Sequence, residues 1–473
     1  MLTNRIDIRI LLFITIILTV FTATACPAAG IPFPDNLGGK FSPYALPDLT
    51  DLPLWIPPLA GLAAGILSAA AGTGGGFMVV PALMSFGVAG IYAVGAEMFR
   101  IFIFTLVQTI RLIIRKKVRY IFSGVLSIGT ALGGFTGLWL SIKIYMGSPP
   151  GSNIFISLMI VMWLISYAFI IVPDFRESAA RYAAALRLEK EKSEKYINPD
   201  NKADEEKTEN INPDETETKP ETPPEQDIKP QIESFESHQI NEEPWDVAKK
   251  IRGIKIFPYL SFPSSLKFYP PNDGLKENEI TQEELNTLKK QHDRISALPV
   301  FLFSLAGGFF MSLIGSGGLI FGFTILTRGF ACLGSAMIGA DFTRIAISSG
   351  FLTIGGFGLK GFITIYSVSG LILGSVAGVH IGGHALEYIK PHKVKGLISL
   401  TIISVIINRL LAIPDYLRLS GADLSYNLCS TLNESGRYIL IIGTGIAVSW
   451  FIYELFTGIK SKLAGRAKEE AAK

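Results

Sequence analysis

The chain has 473 residues, 49% of them hydrophobic, with 47 glycines and a mean hydropathy of +0.39; only 18% are Asp, Glu, Lys or Arg, against about 25% in soluble domains. This composition excludes an ordinary soluble protein and a disordered one. Three cysteines exclude a disulfide framework or a Cys-rich metal site, and a net charge of +3 is too small for nucleic-acid binding. What remains is a polytopic membrane protein, and because about half of its charges fall between Asp174 and Arg294 it carries one large polar insertion.

At the N-terminus Arg5 and Arg9 precede an apolar run from Ile10 to about Val20, and Ala23-Thr24-Ala25 stands before Cys26. A positive start, an apolar stretch and an A-x-A-like site read as a cleaved signal peptide; an uncleaved anchor helix over 1–26 fits equally well. Both place Arg5 and Arg9 in the cytoplasm and the Pro-, Gly- and Asp-rich linker 27–54 outside.

Apolar stretches then come in two groups: about 55–87, 91–114, 121–146 and 153–172, followed by 297–327, 334–358, 364–389, 393–413 and 436–459. Each reaches about 20 residues or more, enough to cross about 30 Å of hydrocarbon as a helix. Helices satisfy their own backbone in lipid, and the alternation of barrel strands is missing. The fold class is therefore all-α and polytopic. The organisation is a first membrane repeat at 55–173, a cytoplasmic insertion at 174–297, a second repeat at 298–414, an external loop at 415–435, and an extra transmembrane helix with a basic tail at 436–473. Within the insertion, Asn198–Glu243 has almost no apolar content, so the insertion is expected to be largely disordered. Thr281-Gln282-Glu283-Glu284 predicts a capped helix before the next span. His238 and His292 are isolated and read as solvated.

The two membrane groups repeat one another. Gly61 to Phe77 runs through small residues into Gly72-Thr73-Gly74-Gly75-Gly76, and Leu305 to Leu319 runs likewise into Gly315-Ser316-Gly317-Gly318. Downstream, Gly95-Ala96-Glu97-Met98-Phe99-Arg100-Ile101 aligns with Gly339-Ala340-Asp341-Phe342-Thr343-Arg344-Ile345. Packing faces space their glycines by four, whereas these are contiguous and each destabilises a helix by about 1 kcal/mol. They read as breaks whose free N–H groups line a cavity and suit an anion. A P-loop is excluded because no G-K-[ST] follows and no strand precedes.

Charge places the breaks in hairpins. The basic links Arg111–Arg119 and Lys390–Lys395 and the tail Lys460–Lys468 all fall inside only if 55–87 enters and returns at Gly72–Gly76. Arms of about 12 residues then reach about 18 Å. The second hairpin opens from the cytoplasmic side, so each half is a hairpin plus three spans, inserted in opposite senses.

Glu97/Arg100 and Asp341/Arg344 stand at i, i+3 and can close ion pairs, about 13–15 Å deep. Intramembrane charge is usually retained for function, and the guanidinium fork suits oxyanions. The site expected from the sequence is Gly74, Gly75, Gly76, Arg100, Gly317, Gly318 and Arg344 around one shared anion, with Glu97 and Asp341 orienting the arginines or coupling to an ion. His380 and His384, at i, i+4, lack a third metal ligand and read as packing or hydrogen-bonding groups. Lys143, Lys360 and Arg409 sit near helix ends and are expected to snorkel. Cys332 reads as packing.

On these features the chain resembles the sulfite exporter TauE/SafE family of membrane permeases over about 55–172 and 297–413. The resemblance rests on the Gly72–Gly76 helix with Pro81, its repetition at Gly315–Gly318, and the Gly-rich third helix of each half. It implies transport of sulfite, sulfonates, thiosulfate or related anions across the cytoplasmic (inner) membrane. Glu97-Met98 and Asp341-Phe342 replace the small polar pair often found there in the family, and Phe323-Thr324 stands near an expected proline. The expected function is secondary transport, as an exporter, of a small anion such as sulfite, a sulfonate or another sulfur oxyanion. The expected partners are the lipid bilayer and the anion, with a proton or sodium gradient, or the substrate's own gradient, as the driving force; no nucleic acid, cofactor, catalytic residue or metal is expected. The competing expectation is a membrane-embedded interaction or sensory protein acting through its insertion.

Overall fold

The computed structural model describes residues 52–53, 55–71, 75–169, 245–254, 256–265, 293–316, 319–385, 388–389 and 391–471, with single positions at 173, 176 and 180. The readings of 1–26, most of the 27–54 linker, the 281–284 helix start, His238, His292, Gly74, Gly317 and Gly318 lie outside the described residues. The first half comprises α1 (Ile56–Ala71), α2 (Gly76–Ser85), α3 (Gly90–Ile114), α4 (Tyr120–Gly147) and α5 (Pro149–Phe169). Next come a short α6 (Asp246–Arg252) and two strands, β1 (Tyr259–Ser261) and β2 (Arg294–Ser296). The second half repeats the order of the first. It has α7 (Ala297–Ile314), α8 (Leu319–Thr324) running into a π-helical turn at Ile325–Gly329, α9 (Gly334–Phe351) running into another at Leu352–Gly358, α10 (Ile365–Ala385) and α11 (Pro391–Leu419). A final α12 (Tyr426–Ala471) follows. Seven of these helices are long and apolar enough to cross a membrane.

The helices break where contiguous glycines remove helix propensity. Gly75 caps α2 at φ 62° and Gly315 ends α7 at φ 69°, a left-handed backbone that a Cβ would strain. The arms are unequal where about twelve residues each were expected: the first arms α1 and α7 have 16 and 18, the second arms α2 and α8 have 10 and 6. The expected 415–435 loop shrinks to Ser420–Ser425, because α11 continues past Pro414 and α12 begins early. There Asp415 accepts from Arg418 and from Asn433 Nδ2, both at 3.0 Å, so polar residues satisfy one another on helices where hydropathy has already fallen.

Helix α4 shows what solvent the surface is built for. Most of its buried residues are small or polar, among them Ser123, Ser127, Thr130, Gly133, Gly137 and Ser141, with Phe122, Leu126 and Leu138 as the large apolar ones. Its opposite stripe, Ile121, Ile128, Leu132 and Trp139, is more than half exposed. Large apolar groups outside and small ones inside is the arrangement for lipid, where packing rather than the hydrophobic effect joins helices.

The halves interleave. Gly370, Gly374 and Gly378 of α10 lie on Pro57–Pro58, Pro58–Leu62 and Leu62–Ile66 of α1, so these two helices run parallel in close contact. Gly129, Gly133 and Gly137 of α4 lie likewise along Phe301–Ser304, Leu305–Phe309 and Phe309–Ser312 of α7. Between them, α3 and α9 pair with Phe102 on Gly350, while Gly95 meets Phe362 beyond α9 and Lys117, just past α3, meets Gly339, so these equivalent helices are antiparallel. Reciprocal contacts plus antiparallel equivalents define a pseudo-two-fold axis perpendicular to the helices, the arrangement of inverted repeats.

The described part of the insertion, 245–254, 256–265 and 293–297, is folded against the bundle. Unlike 198–243, the stretch from Trp245 to Phe262 supplies apolar residues. Leu260, Phe262 and Ile295 pack on Phe122, Leu126, Leu326 and Phe330. β1 pairs antiparallel with β2, and Arg252 donates to the carbonyls of Phe330 and Ala331 at 2.9 and 3.0 Å. This clasp sits at the same end of the bundle as the basic link before α4. Beside it, burial pushes the Cys332 thiol up to about 12, with the Arg252 guanidinium opposing that rise only in part.

Two outcomes follow from this packing. In Gly374→Leu or Gly133→Leu the new Cβ starts 1.8 Å from the Pro58 or Leu305 carbonyl. Either change should cost at least about 1–3 kcal/mol of stability, as overpacking does, and lower the melting temperature in detergent, while Gly124→Leu, with nothing within 4 Å, should leave it unchanged. Because its thiolate form is suppressed, Cys332 should resist maleimide from pH 7 to 9 in the folded protein and react once Arg252→Ala loosens the clasp.

Candidate functional site

Four polar positions share one offset. Arg100 lies ten residues after Gly90, Arg344 ten after Gly334, Thr130 ten after Tyr120 and Ser375 ten after Ile365, each about 15 Å along its helix. Repetition of the helices therefore places two equivalent polar clusters inside the bundle, and in both the acid stands one turn before the arginine. Glu97, Arg100, Asp341 and Arg344 are all buried.

In the first cluster Arg100 Nε donates to Glu97 Oε2 at 2.6 Å and Nη2 donates to Oε1, a fork closed on both carboxylate oxygens. Nη1 reaches Ser375 Oγ on α10 at 3.4 Å, and that hydroxyl donates to the Gly61 carbonyl of α1 at 3.0 Å. The second cluster mirrors this across the axis. Arg344 Nε and Nη2 donate to Asp341 Oδ1 at 2.8 and 2.5 Å, and Nη1 reaches Thr130 Oγ1 on α4 at 3.3 Å. Each half's pair is thus held by a hydroxyl from the other half. The clusters differ in one respect: the shorter Asp341 presents only Oδ1 to its arginine, leaving a buried Oδ2 with no hydrogen-bond partner.

The hairpins bring backbone to both pairs. A Cβ on Gly76 would stand 2.5 Å from Glu97 Oε1, so the first turn of α2 abuts the carboxylate. That end of a helix favours negative charge. On the other side Gly322 of α8 faces Arg344, with a Cβ position 2.8 Å from Nη2. The two breaks meet, since the same Gly76 position is 2.9 Å from the Gly315 carbonyl.

The structure therefore joins Gly76, Glu97 and Arg100 in one cluster and Asp341 with Arg344 in another, while Gly75 lies against the Ala64 backbone of α1. It does not bring the two arginines around one shared point. In the antiparallel α3–α9 pair, Arg100 and Arg344 lie on opposite sides of the axis, separated by about ten residues or 15 Å of rise. Sequence reasoning missed Ser375 and Thr130. The signal was present, because each follows a glycine of the close-packing stripe, as Gly129-Thr130 and Gly374-Ser375. It also misplaced Arg409, which is fully buried rather than snorkelling; Lys143 and Lys360 are exposed. His380 is exposed on α10, and no group of three His, Cys, Asp or Glu able to hold a metal occurs among the described residues.

No curated protein and no solved structure gives a significant match to the chain. A family model does: residues 4–202 match the one described as Sulfite exporter TauE/SafE. The match starts earlier and runs further into the insertion than the 55–172 resemblance, and it does not extend to 297–413, where the link to the family rests on the internal repeat. Residues 4–202, with the apolar helices, the glycine break and the first acid–arginine pair that they include, carry a domain of the TauE/SafE sulfite exporter family of membrane permeases.

Proposed function

We propose that this protein is a secondary transporter that moves a small sulfur oxyanion, such as sulfite or a sulfonate, outward across the cytoplasmic membrane. The observation that carries the reading is the pair of buried acid–arginine forks, each beside a glycine-broken hairpin and each tied to the opposite inverted repeat. An oxyanion presents the same bidentate acceptors as a carboxylate. It can therefore exchange with Glu97 for the Arg100 fork and for the start of α2, and with Asp341 for Arg344. The two clusters are half-sites stacked along the pathway rather than one shared site, and rocking of the repeats about the axis between them would expose each to its own side. Gly74, Gly317 and Gly318 would add backbone N–H donors at the tips. The unpartnered Asp341 Oδ2 supports that carboxylate as the group that takes a coupling proton or sodium ion. The rival reading, an interaction or sensory protein working through the insertion, gains nothing from the family match.

The basic links support an orientation with Arg111–Arg119, the folded clasp and the whole 174–297 insertion in the cytoplasm. The contacts of the parallel pairs α1–α10 and α4–α7 agree with it: α1 enters from outside alongside α10, and α7 enters from inside alongside α4.

Uptake and efflux of labelled sulfite, thiosulfate, sulfonate and sulfate in proteoliposomes tests the function. Wild type should move at least one sulfur oxyanion in preference to chloride. Glu97→Gln/Arg100→Gln and Asp341→Asn/Arg344→Gln remove each pair without a large cavity and should abolish transport with melting temperature kept. Arg100→Lys keeps the charge but loses the fork, and should weaken apparent affinity by about 10- to 100-fold, the size of one charge-assisted hydrogen bond. Full activity in both double variants would remove these residues from the mechanism. Orientation is checked in intact cells with an impermeant thiol reagent and single cysteines in a cysteine-free background. Gly421→Cys should label and Tyr120→Cys should not; the opposite pattern inverts the proposed topology.

A further inference from the structure

A third buried arginine lies outside both acid–arginine clusters. Arg409, about two-thirds of the way along α11, has no exposed surface, like Asn408 beside it. Its Nε donates to Asn408 Oδ1 at 2.7 Å and its Nη2 to Ser85 Oγ at 2.6 Å, at the end of α2. Ser85 is fixed in turn, donating to the Pro81 carbonyl at 2.8 Å and accepting from Asn408 Nδ2 at 3.0 Å. Both groups that hold the guanidinium are neutral. Tyr416, also buried, is the remaining polar side chain that interacts with it. Arg409 Nη1 is buried with no acceptor in bonding geometry.

The charge balance is the anomaly. Arg100 and Arg344 each have a carboxylate one turn away, whereas no described carboxylate pairs with Arg409. The next acid on α11, Asp415, is committed to Arg418 and Asn433. Arg437 of α12 sits over the Phe86 ring at 5.8 Å, so the neighbouring charge is positive as well. A buried guanidinium with only neutral partners and one idle donor is stable when an anion completes its shell. The helices close tightly here, with Gly436 of α12 against the Asn408 carbonyl, which limits the anion to a small one.

We propose that Arg409, Asn408 and Ser85 form a separate binding site for a small inorganic anion of halide to sulfite size, at the end of the bundle where α2 finishes. Arg409 Nη1 and Asn408 Nδ2 are its donors. The site does not depend on the transport reading, because it would bind its anion whether or not the acid–arginine clusters move one.

Bromide, chloride and sulfite are the probes. The melting temperature of the purified full chain should rise on replacing gluconate by any of them at constant ionic strength, and which saturates lowest identifies the occupant. Arg409→Gln should raise the half-saturating bromide concentration at least tenfold. If that variant does not fold, Ser85→Ala, which loosens the guanidinium without removing it, should raise it severalfold. Crystals grown in bromide should show an anomalous peak within hydrogen-bond distance of Arg409 Nη1. No anion-dependent stabilisation in wild type, an unchanged bromide response in the variants, or bromide peaks that avoid Arg409 would each overturn the proposal.

Discussion

Charge buried in hydrocarbon must be neutralised and hydrogen-bonded, and the architecture of this protein is arranged around meeting that requirement twice. An i, i+3 acid–arginine pair is self-sufficient in charge but leaves one guanidinium nitrogen over. Here that nitrogen reaches across the axis, to Ser375 for Arg100 and to Thr130 for Arg344. Those hydroxyls reach the pairs because α10 lies on α1 and α4 on α7 at glycine-lined distance. The glycine stripes, the interleaved halves and the buried pairs are therefore a single solution. Widening any of the close contacts would leave a polar atom stranded in an apolar interior, which costs more than the lost packing alone.

The same logic separates the hairpins from ordinary spans. A break inside hydrocarbon is tolerated where another polar group faces it. The Glu97 carboxylate fills that role for α2, and the Arg344 guanidinium lies against α8. The breaks and the charges compensate one another. Each would be a defect alone, and together they make a polar seam within an apolar bundle whose outer faces carry Ile121, Leu132 and Trp139.

Much of this was legible in the sequence because lipid enforces simple rules. Length and hydropathy located the helices, contiguous glycines located the breaks, and Arg and Lys placement predicted hairpins of opposite sense. The repeat of Gly-Ala-acid-x-x-Arg-Ile gave both ion pairs. What stayed hidden depended on partners distant in the chain. Thr130 and Ser375 look like ordinary helix hydroxyls until the opposing helix is known. Arg409 looks like a helix-end cation because hydropathy ends near it, while α12 folds over that end and buries it. The register between the two arginines was hidden for a related reason: equal depth in two helices does not fix how two residues stand to one another when a two-fold axis runs between those helices. The clasp at 245–265 was lost because its few apolar residues are diluted by polar sequence on both sides.

Interleaving also sets the order in which this protein can be made. The Ser375 hydroxyl bonds the Gly61 carbonyl, 314 residues earlier in the chain. At a synthesis rate of about 5–20 residues per second, the first hairpin waits roughly 15–60 s in the membrane before its partner helix exists. During that interval α1 exposes a groove of glycines and the Glu97–Arg100 pair lacks its cross-half hydroxyl. The first half on its own is thus an unfinished surface, vulnerable to membrane quality control until α10 arrives. The long polar segment between the halves lengthens that wait, and the nascent chain must remain competent to accept its second half throughout it.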